Sequence, residues 1–195
     1  LLVSRFLMHP SVYYHHVSRI AETMCVRAIK YLIENGTVDP FGMGNMDDSR
    51  VFETMRNDDG YAGELARRLD ERRLYKRALY VGFEAVGENV IRHRTNIERV
   101  EAEIADMVGI EAENILIDIP KTPEIAEMKA LIKTDGRMLH LDEASHVVAT
   151  LERAHRDNWR MGVYTPKEYR DIVGKAAQEF FDVKKTTRQF RLTDL

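Results

Sequence analysis

The hydrophobic periodicity of this chain changes near residue 75, and that change points to an α+β fold. Before it, apolar residues recur at helical spacing. Val17, Ile20, Ala21, Met24, Ala28 and Tyr31 repeat at threes and fours, which predicts a helix over 11–34 that Asn35-Gly36 closes as a C-cap. Residues 36–47 have loop composition, and short helices are expected at 48–56 and 60–71, with Asp47 or Asp48 and Asp59 as caps. After it, strand patterns enter. Residues 78–83 read as a strand, and 87–108 as a helix carrying Val90, Ile97, Val100, Ile104 and Val108. Residues 115–119 alternate as a strand, and 129–134 and 137–141 flank the hairpin turn Asp135-Gly136. A helix over 143–156, a strand over 159–164 and a last helix from Thr165-Pro166 to about Phe181 complete the pattern. With one hairpin strand set aside, the order is strand-helix-strand-strand-helix-strand. The expectation is therefore a helical portion over 1–75 followed by a ferredoxin-like βαββαβ domain over 76–195 with an extra hairpin strand.

Composition removes several function classes. A net charge of −3 over 195 residues gives no global attraction to nucleic acid or anionic membrane, so an anion site has to be local. The one cysteine, Cys25, excludes an internal disulfide and makes a cytoplasmic protein the default. No apolar stretch approaches the roughly 18–20 residues that span a bilayer. The opening Leu1-Leu2-Val3 already lies inside an apolar pattern and suggests a piece of something longer.

Candidate chemistry in the back portion is weak. Glu143 and His146 have Glu-x-x-His spacing, repeated at Glu152 and His155, with His140 and Asp142 close by. Di-iron sites draw two such motifs from different helices. Here they fall nine residues apart on one predicted helix, about half a turn of rotation, and an acidic helix start is the simpler reading. Cys25 lies beside the Met24 stripe with no local cue for a reactive thiolate. The hairpin from Ala130 to Leu141 carries no aromatic residue, unlike the base-stacking strands of RNA-recognition modules, so no nucleic-acid partner is expected. Arg92-His93-Arg94 reads as solvated surface, and Gly42-Met43-Gly44 lacks the flanks of a phosphate loop.

The front of the chain is different. Between Arg5 and His16 stand an arginine, three of the seven histidines and two tyrosines. Arg5, His9, Tyr13 and His16, spaced four, four and three apart, share one sector of a helix at about 100° per residue. A guanidinium grips phosphate oxygens with parallel donors, an imidazole donates or relays a proton, and a phenol stacks on a sugar or base. Pro10 breaks regular helix geometry through 6–10, so the shared face requires a kink or a helix start there. Without further context a solvated polar stripe explains the run as well.

Arg5-x-x-x-His9-x-x-x-Tyr13-x-His15, followed by an amphipathic helix, resembles a segment of the HD-domain phosphohydrolases, in particular the deoxynucleoside triphosphate triphosphohydrolase branch. The resemblance continues through Ile20 to Met24, Asp47-Asp48, Arg73 to Arg77, Ile117 to Lys121 and Trp159 to Tyr164. It implies substrate-binding roles for Arg5 and His9 at the phosphates and Tyr13 at the nucleoside, with His15 beside them. It also implies a cytoplasmic, homo-oligomeric parent enzyme that hydrolyses dNTPs or a related phosphoester with a water activated by a divalent metal. The metal site of that family needs an adjacent His-Asp pair, which this sequence lacks, so the ligands are expected upstream of Leu1 and this chain alone is expected to be inactive. Pro10 and Tyr14 depart from some relatives and leave the substrate open. The rival expectation is a non-enzymatic regulatory or oligomerisation module.

Overall fold

The computed structural model describes residues 15–121, 130–134 and 137–183, together with Ser4, Met8 and Val12. The first described helix, α1 (His16–Glu34), buries Ile20, Met24 and Ala28 of the expected stripe together with Leu32, while Val17 is exposed. Asn35 caps it, and Gly36 takes a positive φ of 71°. The amides of Gly36 and Thr37 donate to the carbonyls of Ile33 and Leu32 at 3.0 and 2.9 Å, a Schellman closure that needs the left-handed residue where glycine stands. Within the expected 36–47 loop, Pro40–Met43 forms one helical turn, with Asp39 accepting from the amides of Phe41 and Gly42.

Next come α2 (Asp48–Arg56) and α3 (Tyr61–Asp70). Asp47 caps α2 by accepting from the Arg50 amide at 2.8 Å. The cap expected at Asp59 falls elsewhere. Gly60 holds the N-cap position of α3, and the Asp58 carboxylate accepts from the amides of Gly60 and Gly63 at 3.1 and 3.2 Å. Asp58 stands two residues before Gly60, which is the reach of an Asx turn.

Among the described residues five strands follow: β1 (Lys76–Gly82), β2 (Leu116–Asp118), β3 (Leu131–Thr134), β4 (Arg137–His140) and β5 (Arg160–Thr165). Three of them form a sheet in the order β1-β5-β2, with β5 antiparallel to both neighbours. The outer strands β1 and β2 are therefore parallel to each other and joined through α4 (Ile97–Val108), a split βαβ unit. The hairpin β3–β4 makes a separate two-stranded sheet. A ferredoxin-like sheet would take one of these strands beside the others. Here Leu131, Lys133, Met138 and His140 share an exposed face, with Leu131 and Met138 both 59 % exposed, and Ile132 stands opposite Leu139 on the other, half-buried face.

Two predicted helices are interrupted. Residues 88–96 wind as 3₁₀ before α4 begins, across the polar run Arg92 to Asn96. The helix over 143–156 is a turn at Leu141–Ala144, an extended Ser145, and then α5 (His146–Asp157). The last described helix is α6 (Arg170–Phe180). The molecule is thus a mixed α+β structure, and among the described residues no helix is long and apolar enough to cross a membrane.

The sheet separates two apolar clusters. Leu79, Ile117, Met161 and Val163 face α4 and α6, where they meet Val100, Ile104, Trp159, Val173 and Ala177. Leu116 and Tyr164 face the other way and join α1, α2 and α3 through Ile20, Met24, Met55 and Leu65. This follows from the period of two along each strand. Gly162 lies on the α1 side of β5. A Cβ there would come within 2.2 Å of the Tyr164 hydroxyl, so the missing side chain makes room for the tyrosine laid across the strand.

Candidate functional site

Of the four residues expected to bind substrate, Arg5, His9 and Tyr13 lie outside the described residues, and His15 lies within them. His15 occupies the N-cap position of α1 with an extended backbone (φ −62°, ψ 126°) and is exposed. Its ring meets that of His16 at 4.6 Å between centroids, tilted by 32°. Arg77 on β1 reaches this same end of the helix. Burial, then the charge of Arg77 and that of His15, hold the His16 imidazole below its ordinary pKa. The Arg77 guanidinium lies 5.4 Å from the centre of the Tyr80 ring. Among the described residues, no carboxylate forms an ion pair with His15, His16 or Arg77. The start of α1 is therefore an edge where no ion pair to a described carboxylate offsets Arg77, and the field of the helix N-terminus adds to it. Arg77 is more than sixty residues from this edge in sequence, and only strand pairing brings it there.

Two arginines one turn and three turns further along α1 tie the helix to the sheet. Arg19 donates through Nε and Nη2 to the two oxygens of Asp118 at 2.9 and 2.5 Å, and through Nη1 to Glu22 at 2.9 Å. Arg27 pairs with Glu101 of α4, whose second oxygen accepts from the Ile117 amide at 2.8 Å. Glu101 is 1 % exposed and Asp118 8 %, and burial pushes both carboxyl pKa values up against the opposing pull of their arginines. Ile117 lies on the open edge of β2, so the Glu101 carboxylate satisfies a strand amide that has no neighbouring strand. The hydroxyls of Tyr61 and Tyr75 both donate to the Glu113 carbonyl, at 2.7 and 3.3 Å, and join α3 to the entry of β2. None of these links was legible in the sequence, since each spans many residues.

The other sequence candidates resolve into local roles. Glu143 accepts from the His140 amide at 3.0 Å in a capping box. The side chains of Asp142, Glu152 and His155 lie outside the described residues. Among the described residues, no three His, Cys, Asp or Glu side chains come together as a metal site, and no chemical step is assigned to a metal here. Cys25 is half-buried, and burial followed by Asp48 and Glu22 raises its thiol pKa, which suits packing rather than nucleophilic attack. His93 packs its ring against Phe180 and Phe181. A cleft of about 590 Å³ opens at the end of β1 beside Tyr80, Phe83, Glu84, Asp157 and Arg160.

Over residues 1–192 the sequence matches the family described as the HD associated region. The chain belongs to that family. An uncharacterized protein of Methanocaldococcus jannaschii is 31 % identical over 172 residues, covering 86 % of this chain and 37 % of that protein. The solved structure of a phosphohydrolase from Bacteroides thetaiotaomicron shares the fold, with a TM-score of 0.50, 17 % identity, and coverage of 85 % of this chain and 48 % of that one. The chain thus spans less than half the length of either relative. In this HD-associated region the adjacent His-Asp pair is absent, and the described residues bring the Arg77 guanidinium of β1 to the His15–His16 end of α1.

Proposed function

We propose that this HD-associated region serves as the C-terminal part of an HD-family metal-dependent phosphohydrolase acting on dNTPs or a related phosphoester. It supplies contacts to the substrate phosphates, while the divalent metal is held by the HD motif of the whole protein. The observation that carries the reading is the edge at the start of α1, where His15, His16 and Arg77 converge with no carboxylate among the described residues paired to them. Such an edge favours a multiply charged anion. The family's description as an HD associated region supports this reading, as does the fold shared with the solved phosphohydrolase.

In this reading Arg5 and His9 contact the phosphates, Tyr13 lies against the nucleoside and His15 stands next to them. The portion over 1–75 completes the helical HD unit, and that over 76–195 is an accessory unit on the ferredoxin-like plan, reduced to its split βαβ core. The whole protein works in the cytoplasm as a homo-oligomer, and the chain by itself is inactive. The test is Arg5→Ala in the full-length protein, assayed for hydrolysis of the four dNTPs. A lost charged phosphate contact lowers kcat/KM at least about tenfold. An unchanged kcat/KM on a hydrolysed dNTP removes Arg5 from the site. Absence of dNTP hydrolysis by the full-length protein with magnesium or manganese favours a regulatory module instead.

A further inference from the structure

We propose that Asp118 and Glu101 are positioning residues that fix where α1 sits on the sheet, and so where His15 at its start is presented. The proposal rests on the phosphohydrolase reading only for what the start of α1 binds. Both carboxylates belong to the back of the chain, and both act at β2: Asp118 is part of it, and Glu101 is fastened to its Ile117 amide. Both grip arginines of α1. Arg19 and Arg27 are eight residues apart, about 12 Å along a helix at 1.5 Å per residue. Two attachments at that separation fix the helix against sliding and swinging. The bidentate Arg19–Asp118 pair also fixes its rotation, because a planar fork matches a carboxylate in one orientation.

The pairs are not needed to keep α1 attached. Ile20, Met24, Ala28 and Leu32 already bury an apolar stripe, and an apolar replacement of a buried ion pair often holds a fold equally well. Apolar packing, however, tolerates small shifts that directional bonds do not. The clamp nearer the start of α1 lies one turn from it, since the Arg19 amide donates to the His15 carbonyl at 3.0 Å. A displacement of Arg19 is therefore passed straight to His15. The distal clamp at Arg27 acts as the second anchor.

The experiment compares the full-length wild-type protein with Asp118→Asn, Glu101→Gln, Arg5→Ala and the double variant Arg19→Met/Asp118→Leu. Amide exchange over residues 15–34 and dNTP hydrolysis are the readouts, at a temperature where circular dichroism shows every variant folded. Asp118→Asn is expected to speed exchange over residues 15–23 by about tenfold, with residues 28–34 unchanged. It is also expected to raise KM for a hydrolysed dNTP by about tenfold, with kcat within about twofold of wild type. The double variant is expected to regain wild-type thermal stability while KM and local exchange stay high, a split that a purely structural pair would not produce. Glu101→Gln is expected to give the same local signature over residues 23–30.

Wild-type exchange and KM in the stable double variant would overturn the proposal. Faster exchange confined to the start of α1, with no dNTP hydrolysed by the full-length protein, would sink the phosphohydrolase reading and leave the clamp standing. A damaged Arg5→Ala beside an unaffected Asp118→Asn would do the reverse. If no dNTP is hydrolysed, the exchange pattern alone decides the proposal.

Discussion

The two faces of the three-stranded sheet are built from alternate residues of the same strands, yet they use different chemistry. Toward α4 and α6 the strands present Leu79, Ile117, Met161 and Val163, which form an apolar cluster with Trp159, and among the described residues no ion pair crosses between these strand residues and the two helices. Toward α1 they present Tyr80, Leu116, Asp118 and Tyr164, and the interface is crossed by Arg19–Asp118 and Arg27–Glu101. Burial of apolar area is non-directional and favours any close-packed arrangement. Charged hydrogen bonds favour one arrangement and are costly when broken. The first face accordingly offers non-directional packing, and the second joins α1 to the sheet by directional charged bonds.

The largest expected effect tests the apolar face. Trp159 is 1 % exposed, donates from Nε1 to the Pro120 carbonyl at 3.2 Å, and meets the Phe83 ring edge-on at 5.4 Å. Trp159→Ala should lower unfolding free energy by about 3–5 kcal/mol in urea denaturation. A loss under about 1 kcal/mol would show that this cluster is not the main source of stability.

On the polar face the expected loss is smaller and depends on how the pair is removed. Asp118→Ala leaves Arg19 without its partner, and because the Arg19 side chain keeps 20 % of its exposure the cost should be about 2–3 kcal/mol, below that of a fully buried break. Removing both charges, with Arg19→Met/Asp118→Leu, should cost nothing or stabilise. Equal losses in the two variants would mean that the pair contributes net stability, and the contrast between the faces would fail.

Sequence periodicity revealed much of this architecture and little of its polar wiring. The α1 stripe, its Asn35-Gly36 end, the Asp47 cap and the strands of the sheet follow from local spacing and turn chemistry, which act within a few residues. Strand partnership does not: the hairpin at 131–140 pairs only with itself among the described residues, although its Ile132–Leu139 face is the less exposed one. Asp58 rather than Asp59 serves α3, a one-residue difference that depends on the backbone turn at Gly60. At the candidate site, the sequence sets His16 near the line of Arg5 and His15 on another side, whereas Arg77 arrives through a strand. Glu101 looked like one more charge on a helix, and its burial is visible only once the Ile117 amide stands opposite it.

That buried carboxylate gives the comparison a pH dependence. Burial raises the Glu101 pKa above its unfolded value, with Arg27 and the Ile117 amide opposing the shift. A raised carboxyl pKa means that the native state binds the proton more tightly than the unfolded chain. Its stabilising share is fully present below the unfolded pKa and is lost as pH rises through the folded one. Stability should therefore decline from about pH 4 upward through the raised value. Glu101→Gln, which cannot ionise, should flatten that decline in urea denaturations at successive pH values. An unaltered slope would transfer the effect to Asp118, whose carboxyl is shifted the same way by burial.

The smallest effect has the most informative sign. The Tyr164 hydroxyl is buried on the polar face with no hydrogen-bond partner among the described residues, although Asp118 and Tyr80 are close enough to act on it. Burial, then the charge of Asp118, pushes its pKa up, so the phenol stays neutral. An unmet hydroxyl carries its desolvation cost into the fold, and Tyr164→Phe removes the oxygen without opening space at the ring. The substitution should leave stability unchanged or raise it by up to about 1 kcal/mol, read from the urea midpoint at constant m-value. A loss beyond that range would mean that the hydroxyl bonds to Asp118 in solution. The clamp on Arg19 would then be a three-membered network, and the polar face would fix the helix through the sheet's central strand as well as its edge.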